Sequence, residues 1–315
     1  MEMYDLVIIG GGPGGIAAAI YALRARMKTI LIEKAGIGGQ IALSDIVENY
    51  PGFPALSGMD LMQKFEEHAK KEGLDVKYDL VKSIRKENDT FHIEVGKETL
   101  PAKSVIIATG ADPSELGIPG EREFFGKGVS TCATCDGPFY RGKDVAVIGG
   151  GDTAVKEAVF LSKLVNKLYL VHRRDQLRAE KLLQERIFSK DNVEFCWHSV
   201  GVEVKGNPQG VNGIVIENRQ TKQRRTLDVE GVFIFVGLTP ITKFTDCEKD
   251  KWGFLITDQN MQTSVPGLFA VGDCRVTPLR QVATAVGDGA IAAVKAEEYV
   301  SELAGKAYAG KPTSV

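Results

Sequence analysis

Two cysteines separated by two residues, with an aspartate directly after them, are the part of this sequence best suited to chemistry. They lie in the segment Thr131-Cys132-Ala133-Thr134-Cys135-Asp136-Gly137. Such a pair can close into a small disulfide ring and reopen as a dithiol, and one thiol of such a pair often has a lowered pKa. The carboxylate of Asp136 can supply or accept the proton that this opening requires. The spacing therefore predicts a redox-active disulfide.

A zinc site is the alternative interpretation, because Cys-x-x-Cys is also half of many tetrahedral zinc sites. Such a site needs two further ligands, and the sequence contains no second Cys-x-x-Cys and no His-x-x-x-His. The remaining cysteines, Cys196, Cys247 and Cys274, are scattered along the chain. The redox interpretation is favoured, and no metal is expected.

A glycine-rich turn near the N-terminus follows the apolar run 6–9 and precedes the helix-forming run 16–23. Gly-x-Gly-x-x-Gly between a strand and a helix is typical of a dinucleotide-binding turn. Gly10 permits the tight turn, Gly12 lets the backbone approach a pyrophosphate, and Gly15 lets the helix lie close to the strand. Glu33 ends the next predicted strand and is placed to bind a ribose hydroxyl. This part of the chain is predicted to bind a nucleotide.

The same pattern occurs again in the middle of the chain. The apolar run 145–148 precedes Gly149-Gly150-Gly151-Asp152-Thr153-Ala154, and a helix is predicted over 155–163. Ala154 takes the third glycine's place, which the pattern allows. The next strand, 168–171, ends not at an acid but at His172-Arg173-Arg174, with Arg178 one turn later. Arginines bind a 2′-phosphate with charge-assisted hydrogen bonds, so this unit is predicted to bind NADP(H).

The other predicted elements are read from hydrophobic spacing. A helix is expected over 60–72 and another over 290–299. Buried or half-buried strands are expected over 76–84, 90–95, 104–109, 193–204, 211–217, 232–236 and 268–271. Two segments rich in proline and glycine, 112–120 and 237–240, are plausible domain crossings. The tail 305–315 is expected to be frayed.

Composition limits the class of protein and its partners. The 315 residues are 43% hydrophobic and 25% charged, with a net charge of -2, which is ordinary for a globular protein. No basic field would attract nucleic acid, and no apolar run is long enough to cross a bilayer. The N-terminus lacks the basic segment of a secretory signal, and five cysteines are too few for a disulfide-stapled secreted scaffold. A cytoplasmic location is the default expectation.

The motifs, in order and spacing, resemble the low-molecular-weight, bacterial-type thioredoxin reductases along nearly the whole chain. Besides the two turns and the cysteine pair, the resemblance includes Gly38-Gly39-Gln40, the segment 49–54, Ala108-Thr109-Gly110, Gly272-Asp273 and Arg280-Gln281-Val282-Ala283. The cysteine pair is the most discriminating feature, because the glutathione-reductase type carries its redox pair near the N-terminus. No cysteine precedes Cys132 here.

The resemblance implies an α/β fold with two Rossmann-like dinucleotide-binding domains of the three-layer ββα type. An NADPH domain, residues 116–241, would carry the cysteines and be inserted into a discontinuous FAD domain formed by residues 1–115 and 242–315. Family members are homodimers in which the middle domain swivels, so that either the disulfide or the nicotinamide meets the flavin. The expected partner is thioredoxin.

The resemblance also assigns site residues. Cys135 would face the flavin, Cys132 would attack the disulfide of thioredoxin, and Asp136 would act as the acid. The residues implied for FAD are Gly10, Gly12, Pro13, Gly15, Glu33, Gly39, Gln40, Asn49, Ala108, Thr109, Gly110, Gly272, Asp273, Arg280, Gln281, Val282 and Ala283. Those implied for NADPH are Gly149, Gly151, Asp152, Thr153, Ala154, His172, Arg173, Arg174 and Arg178.

Two details depart from or blur the family pattern. Lys156 stands where the family commonly has an acidic residue, and a solvent-facing side chain without a role is the favoured interpretation. Cys274 follows Gly272-Asp273 closely and is expected to be a small buried residue without a role.

Three other functions compete with a thioredoxin reductase. The acceptor could be a glutaredoxin-like protein, a peroxiredoxin or a small-molecule disulfide, since docking surfaces leave weak marks in a sequence. A flavin reductase that passes single electrons to ferredoxin would share both nucleotide folds but lack the cysteine pair. A flavoprotein sensor without enzymatic activity would have little need of the arginines after His172.

Overall fold

A computed structural model describes residues 3–44 and 46–305, and the chain divides into two compact units. One unit holds the described residues of Met1–Asp112 and Thr239–Val315, and the other is Pro113–Leu238. The boundaries predicted after residues 115 and 241 fall a few residues beyond these. The expected frayed tail lies, apart from Gly305, outside the described residues.

The first segment of the chain alternates strands and helices before it turns to strands alone. It contains β1 (Tyr4–Ile9), α1 (Pro13–Arg24), β2 (Thr29–Glu33), a 3-10 turn (Gly39–Leu43), α2 (Gly58–Lys71), β3 (Val76–Tyr78), β4 (Val81–Glu87), β5 (Thr90–Val95), β6 (Glu98–Ile107) and β7 (Ala111–Pro113). The single strand predicted over 76–84 is wrong: β3 pairs in parallel with β2, whereas β4 pairs antiparallel with β5. The chain must turn between them.

The middle unit holds the second set of elements. They are β8 (Val129–Ser130), α3 (Ala133–Asp136), a 3-10 turn (Gly137–Tyr140), β9 (Asp144–Gly149), α4 (Asp152–Leu161), β10 (Lys167–Val171), α5 (Lys181–Phe188), β11 (Val193–Cys196), β12 (Ser199–Asn207), β13 (Gly210–Asn218), β14 (Arg224–Leu227) and β15 (Gly231–Phe235). The strand predicted over 193–204 breaks at His198, whose φ is 53°. Its two halves, β11 and β12, then join different sheets.

The return segment completes the first unit. It contains β16 (Leu238–Pro240), β17 (Leu268–Ala270), a 3-10 turn (Gly272–Cys274) and α6 (Val282–Leu303). Helix α6 begins eight residues before the predicted start, because Gly287 and Gly289 hid its first turns from a propensity argument. A capping box between Gln281 and Thr284 starts the helix. A methyl group added at Gly289 would lie 3.1 Å from the backbone nitrogen of Ala18, so Gly289 lets α6 approach α1.

The first unit is organised around one seven-stranded sheet in the order β3-β2-β1-β6-β5-β4, with β17 also paired to β6. Strands β1, β2, β6 and β17 run parallel. Their apolar runs are buried because both faces of the sheet are covered. Helices α1 and α6 pack on one face. The carboxyl ends of β1, β6 and β17 therefore meet at one edge of this sheet.

The middle unit has three layers. A parallel sheet in the order β11-β10-β9-β15-β8 lies in the centre. Helix α4 covers one face, and the antiparallel sheet β12-β13-β14 covers the other. The predicted α/β fold class with two dinucleotide-binding domains is confirmed. Among the residues that the structure describes, every helix is too short or too polar to traverse a bilayer.

Candidate functional site

The two cysteines of the motif form a disulfide at the start of a short helix in the middle unit. Cys132 and Cys135 are bonded, with their Cα atoms 5.4 Å apart. Cys132 is the N-cap of α3, and its Sγ accepts the backbone N–H of Cys135 at 3.2 Å. The backbone N–H of Cys132 donates to Ser130 Oγ at 3.0 Å, which fixes the helix start to the end of β8. Within residues 3–44 and 46–305, no group of three or more His, Cys, Asp or Glu side chains is placed to hold a metal ion.

Buried neighbours hold this helix in place while leaving the sulfurs accessible. Ala133 is fully buried in the core under α4. A methyl group added at Gly137 would lie 3.0 Å from Leu161 and 3.2 Å from Phe160, so glycine lets the motif approach α4 closely. Cys135 is exposed and Cys132 is half-buried. A redox partner can therefore reach the disulfide without unfolding of the helix.

Asp136 ends α3 and its side chain is half-buried. Its backbone N–H donates to the carbonyl of Cys132 at 3.2 Å, so the acid is fixed to the disulfide ring. Burial raises the pKa of the nearby Tyr140 hydroxyl, and the negative charge of Asp136 raises it further. Tyr140 therefore stays neutral near pH 7.

The first glycine turn has the geometry that its spacing predicts. Gly10 has a φ of 109°, and a methyl group there would collide with the carbonyl of Ala108. One at Gly15 would collide with the carbonyl of Gly10. A methyl group at Gly12 would meet no heavy atom within 4 Å. Gly10 and Gly15 thus close the turn, whereas Gly12 and Pro13 begin α1 beside open space that a pyrophosphate can fill.

Glu33 is tied to this turn by its carboxylate. Its Oε2 accepts the backbone N–H of Gly11 at 2.7 Å, and its Oε1 accepts that of Ala35 at 3.0 Å. A carboxylate has about four lone-pair sites, so each oxygen keeps capacity to accept from a ribose hydroxyl. The residue therefore holds the loop and still fits its predicted role.

Segments distant in sequence gather around the same turn. The carbonyl of Gly11 accepts the N–H of Gly38, and a methyl group at Gly39 would lie 3.3 Å from the Cα of Gly12. Asn49 Nδ2 donates to Gln281 Oε1 at 3.2 Å, which joins the first segment to the start of α6. Gln40, which follows Gly38 and Gly39, donates from its side chain to Asp112 Oδ1 at 3.2 Å.

Residues 108–110 follow β6 and lie directly beside the turn. The N–H of Ala108 donates to the carbonyl of Ile9 at 2.7 Å, and Gly110 has a φ of 66°. Thr109 Oγ1 donates to the carbonyl of Ile241 at 2.7 Å, so this hydroxyl is used within the protein. Thr109 therefore contributes by holding residues 108–110 against Ile241.

The segment after β17 brings a half-buried acid, Asp273, and an arginine, Arg280, to the site of the first unit. Burial raises the pKa of Asp273, the charge of Asp288 raises it further, and the Arg280 guanidinium lowers it. The guanidinium carbon of Arg280 lies 4.3 Å from the centre of the Phe254 ring. Its buried Nε has no hydrogen-bond partner among the described residues. An unpaired buried donor is costly, so this atom fits a site that is completed by a polar ligand.

Val282 and Ala283, which are also implied for the flavin, are the first two residues of α6. Val282 is buried against Val47 and Leu61, whereas Ala283 is exposed. The structure thus brings together at one edge the first glycine turn, Glu33, residues 38–40, Asn49, residues 108–110, Gly272-Asp273 and residues 280–283.

The second glycine turn repeats the geometry of the first. Gly149 has a φ of 153°, and a methyl group there would lie 2.6 Å from the Cβ of Ala154. A methyl group at Gly151 would meet only the Arg178 guanidinium, at 3.8 Å. Asp152 begins α4, and its Oδ1 accepts the backbone N–H of Glu180 at 2.8 Å. Thr153 is exposed in the first turn of α4.

The basic cluster lies beside this turn, although its members differ in exposure. Arg173, Arg174 and Arg178 are exposed, and the N–H of Arg178 donates to the carbonyl of Gly150 at 2.7 Å. His172 is only 4% exposed, and its Nε2 has no hydrogen-bond partner among the described residues. Burial lowers the pKa of His172, and the positive charges of the three arginines lower it further. His172 is therefore neutral and buried, whereas the three arginines near it are exposed and positively charged.

Two residues of these sites were missed from the sequence. Asp288 accepts from Gly272 N–H at 3.0 Å and from Arg275 Nε at 2.8 Å. Trp197 contacts His172 edge-on, with ring centres 6.4 Å apart. Asp288 could have been noticed because it is a carboxylate among the glycines and alanines of the buried face of α6. Nothing in the local pattern indicates Trp197.

The three cysteines outside the motif are buried in the cores and unbonded. Complete burial raises the pKa of Cys274 to about 11. Burial also raises the pKa of Cys196, although the Arg225 guanidinium, 2.9 Å from its sulfur, opposes the shift. Cys247 is 4% exposed and contacts Thr245 and Thr263. These thiols are filling cores, as was expected for Cys274.

Comparison with known proteins supplies relatives for the whole chain. The pattern of the pyridine nucleotide-disulphide oxidoreductase family matches residues 4–289. A thioredoxin reductase of Treponema pallidum is 44% identical over 302 residues, which cover 95% of this chain and 98% of that protein. One of Listeria monocytogenes is 42% identical over 308 residues, covering 96% and 95%. The crystal structure of Lactococcus lactis thioredoxin reductase matches with a TM-score of 0.93 at 43% identity, covering 95% of this chain and 99% of that one.

Proposed function

The chain belongs to the pyridine nucleotide-disulphide oxidoreductase family, and from this premise we propose that it is a thioredoxin reductase driven by NADPH. The observation that carries the proposal is the Cys132–Cys135 disulfide, accessible and set in the unit that holds the second glycine turn. Membership of the family makes the chain an oxidoreductase that uses a flavin and a nicotinamide cofactor.

The flavin is proposed to be FAD, held by the first unit. The open space beside Gly12 suits its pyrophosphate, and Glu33 is placed for the adenosine ribose. The unpaired Nε of Arg280 and the half-buried Asp273 supply a donor and an acceptor for its polar groups. Because these donors and acceptors come from two chain segments that are distant in sequence, they fit a long dinucleotide.

The nicotinamide cofactor is proposed to be NADPH, held by the middle unit. The space beside Gly151 and the N-terminus of α4 suit a pyrophosphate. Exposed Arg173, Arg174 and Arg178 are free to turn towards a 2′-phosphate, which NADH lacks. His172 stays neutral beneath them, so the cations rather than the imidazole provide the positive charge.

When bound, FAD would accept a hydride from the nicotinamide and deliver two electrons to the Cys132–Cys135 bond. Cys132, whose sulfur accepts the N–H of Cys135, is proposed to attack the disulfide of thioredoxin as a thiolate. A mixed disulfide forms and one thioredoxin thiolate leaves, taking its proton from Asp136. Cys135 then attacks Cys132, which closes the ring and releases the second thiolate. Two electrons have then passed to thioredoxin.

Assembly and location are proposed on the family resemblance. A homodimer would have twice the 34.1 kDa mass of one chain, which light scattering on a gel-filtration peak measures directly. A cytoplasmic location agrees with three cysteines that are free thiols.

A different acceptor is the second candidate. Cys135 is exposed, and Phe139, four residues later, is 72% exposed, which suits contact with a protein acceptor. Glutaredoxin-like proteins, peroxiredoxins and small disulfides are the competitors to compare with thioredoxin. The curated relatives bear the name thioredoxin reductase, which favours thioredoxin.

The test is an anaerobic titration of the purified yellow protein with NADPH and then with NADH, followed by flavin absorbance. We expect NADPH to bleach the flavin at lower concentration than NADH. Thioredoxin should restore the absorbance in the wild type but not in Cys135→Ser. If the variant cycles as well as the wild type with the same acceptor, the disulfide is not on the electron path and the proposal is wrong.

A further inference from the structure

A buried ion pair lies directly under the turn that follows β17. Asp288, on the second turn of α6, accepts Arg275 Nε at 2.8 Å on Oδ2 and a second guanidinium nitrogen of Arg275 at 3.0 Å on Oδ1. Oδ2 also accepts the backbone N–H of Gly272 at 3.0 Å. The Arg275 and Asp288 side chains are 13% and 11% exposed. One carboxylate therefore binds the start of the turn and an arginine just beyond it.

Such a pair is not needed for stability alone. Two charges taken out of water lose hydration, and well-packed apolar residues in the same place are often as stable or more stable. The other buried positions of α6 are small, for example Ala292, Ala293 and Ala296. An aspartate among them, fully bonded by three donors, points to a requirement for fixed geometry.

The turn held by this pair is the one that carries Asp273. Gly272 has a φ of 69°, a conformation that glycine adopts without strain. It follows β17, which pairs in parallel with β6, and β6 pairs in parallel with β1, the strand that leads into the glycine turn of the first unit. In α/β sheets ligands bind at this carboxyl edge. The Arg280 guanidinium also donates to the carbonyl of Arg275, at 3.5 Å, so the arginine with the unpaired Nε belongs to the same network.

Arg275 also balances the charge beside Asp273. Asp288 and burial both favour the protonated form of Asp273, and Arg280 opposes them. Because Arg275 binds both carboxylate oxygens of Asp288, the negative charge of Asp288 raises the pKa of Asp273 less than an unpaired carboxylate would. Loss of Arg275 would leave a buried carboxylate unpaired beside a second one, which is strongly unfavourable.

We propose that Arg275 and Asp288 are positioning residues, a clamp that fixes the Gly272-Asp273 turn and Arg280 in the arrangement that binds the flavin. The inference rests on the proposed flavoenzyme function. The clamp acts through Gly272, which precedes Asp273, and through Arg280, because its hydrogen bonds reach both. Its loss is therefore expected to speed release of FAD more than it alters the fold.

The experiment compares five proteins. For each, the rate of FAD release is measured on the holoenzyme, and the urea unfolding midpoint is measured on the apoprotein. These are the wild type, Asp288→Ala, Asp288→Asn, Arg275→Met and the control Glu298→Gln. Glu298 also lies on α6 and forms a 2.7 Å ion pair with Lys295, but this pair is remote from the turn in sequence. Release is followed by the rise in flavin fluorescence after dilution, and it needs no catalytic turnover.

We expect Asp288→Ala and Arg275→Met to release FAD about 10–100 times faster, the factor that a lost hydrogen bond to a charged group implies. Asp288→Asn keeps an acceptor for Gly272 and should fall between them and the wild type. Glu298→Gln should match the wild type. If Asp288→Ala does not fold, the ranking of Asp288→Asn and Arg275→Met still decides the question.

Unchanged FAD release in the clamp variants, with lowered urea midpoints, would overturn the inference and make the pair a stabiliser of the fold. A wild type that binds no FAD would overturn the flavoenzyme proposal and the inference with it. Because the first result appears only in the variants and the second already in the wild type, the two failures are distinguishable.

Discussion

The sulfur of Cys132 accepts a hydrogen bond from the backbone N–H of Cys135 at 3.2 Å. This bond favours a negatively charged sulfur at Cys132, because a donor stabilises the thiolate more than the thiol. We therefore expect the lone thiol of Cys135→Ser to react with iodoacetamide faster at pH 7 than the lone thiol of Cys132→Ser. Initial rates measured on both reduced variants check this. A faster reaction in Cys132→Ser would contradict the assignment of Cys132 as the attacking thiol.

Two alanine substitutions in the first glycine turn should separate binding from folding. A methyl group at Gly12 meets nothing within 4 Å, so Gly12→Ala should lower the apoprotein's free energy of unfolding by only about 1 kcal/mol, as for a changed N-cap. It occupies the space proposed for the pyrophosphate, so FAD affinity should fall by about tenfold or more. Calorimetric titration of the apoprotein with FAD measures this.

Gly15→Ala is the matched comparison, because its methyl group would collide with the carbonyl of Gly10. Overpacking of this kind should cost about 3 kcal/mol of unfolding free energy. Urea unfolding of the two apoproteins checks the difference. Equal losses of stability with unchanged FAD affinity would show that the turn is structural only.

Strands and turns of this chain were predictable where local pattern decides them. The glycines at 10, 12 and 15 have distinct steric roles, and the structure gives each the surroundings that its place in the motif requires. The start of α6 was not predictable, because Gly287 and Gly289 argue locally against a helix. The value of Gly289 appears only when α6 lies against α1. Tertiary packing outweighed propensity there.

Arg178 should discriminate between the two nicotinamide cofactors. Its guanidinium reaches to 3.8 Å from the place where a Gly151 methyl group would lie, and its backbone is fixed to Gly150. We expect Arg178→Ala to raise the KM for NADPH about 10–100-fold, since a charge-assisted bond to phosphate is lost. The KM for NADH should change little. Arg219→Ala, at an exposed turn of the same unit, is the control. Equal effects on both cofactors would contradict a 2′-phosphate role.

His172 should make stability depend on pH in the weakly acidic range. Burial lowers its pKa in the folded state, and the adjacent arginines add to the shift, whereas the unfolded chain keeps the ordinary value near 6.5. Below about pH 6.5 the unfolded state therefore binds the proton more readily, and the free energy of unfolding falls as the pH falls. His172→Gln should flatten this slope between about pH 6.5 and pH 5 in urea unfolding experiments. His68→Gln, at an exposed histidine on α2, is the control.

The sequence placed His172 in the basic cluster but could not tell it from its neighbours. Spacing from Gly149 identifies the end of β10 and nothing more. That His172 is 4% exposed while Arg173 is exposed depends on Trp197, which comes from the next strand connection and packs against the imidazole. Asp288 and Arg275 escaped notice for the same reason. The N–H of Gly272 and the guanidinium of Arg275 both donate to Asp288, which is brought to them only by the docking of α6 beside β17.

Thiol labelling should distinguish the two motif cysteines from the other three. Cys196, Cys247 and Cys274 are 4%, 4% and 0% exposed, so all three thiols are hidden, and burial also raises the pKa of Cys274 to about 11. We expect native protein to take up no iodoacetamide when oxidised and two equivalents after reduction with NADPH or dithiothreitol. Mass spectrometry should place both labels on Cys132 and Cys135, and denaturation should raise the count to all five cysteines. A label on Cys274 in the native, reduced protein would mean that the region behind Asp273 opens in solution.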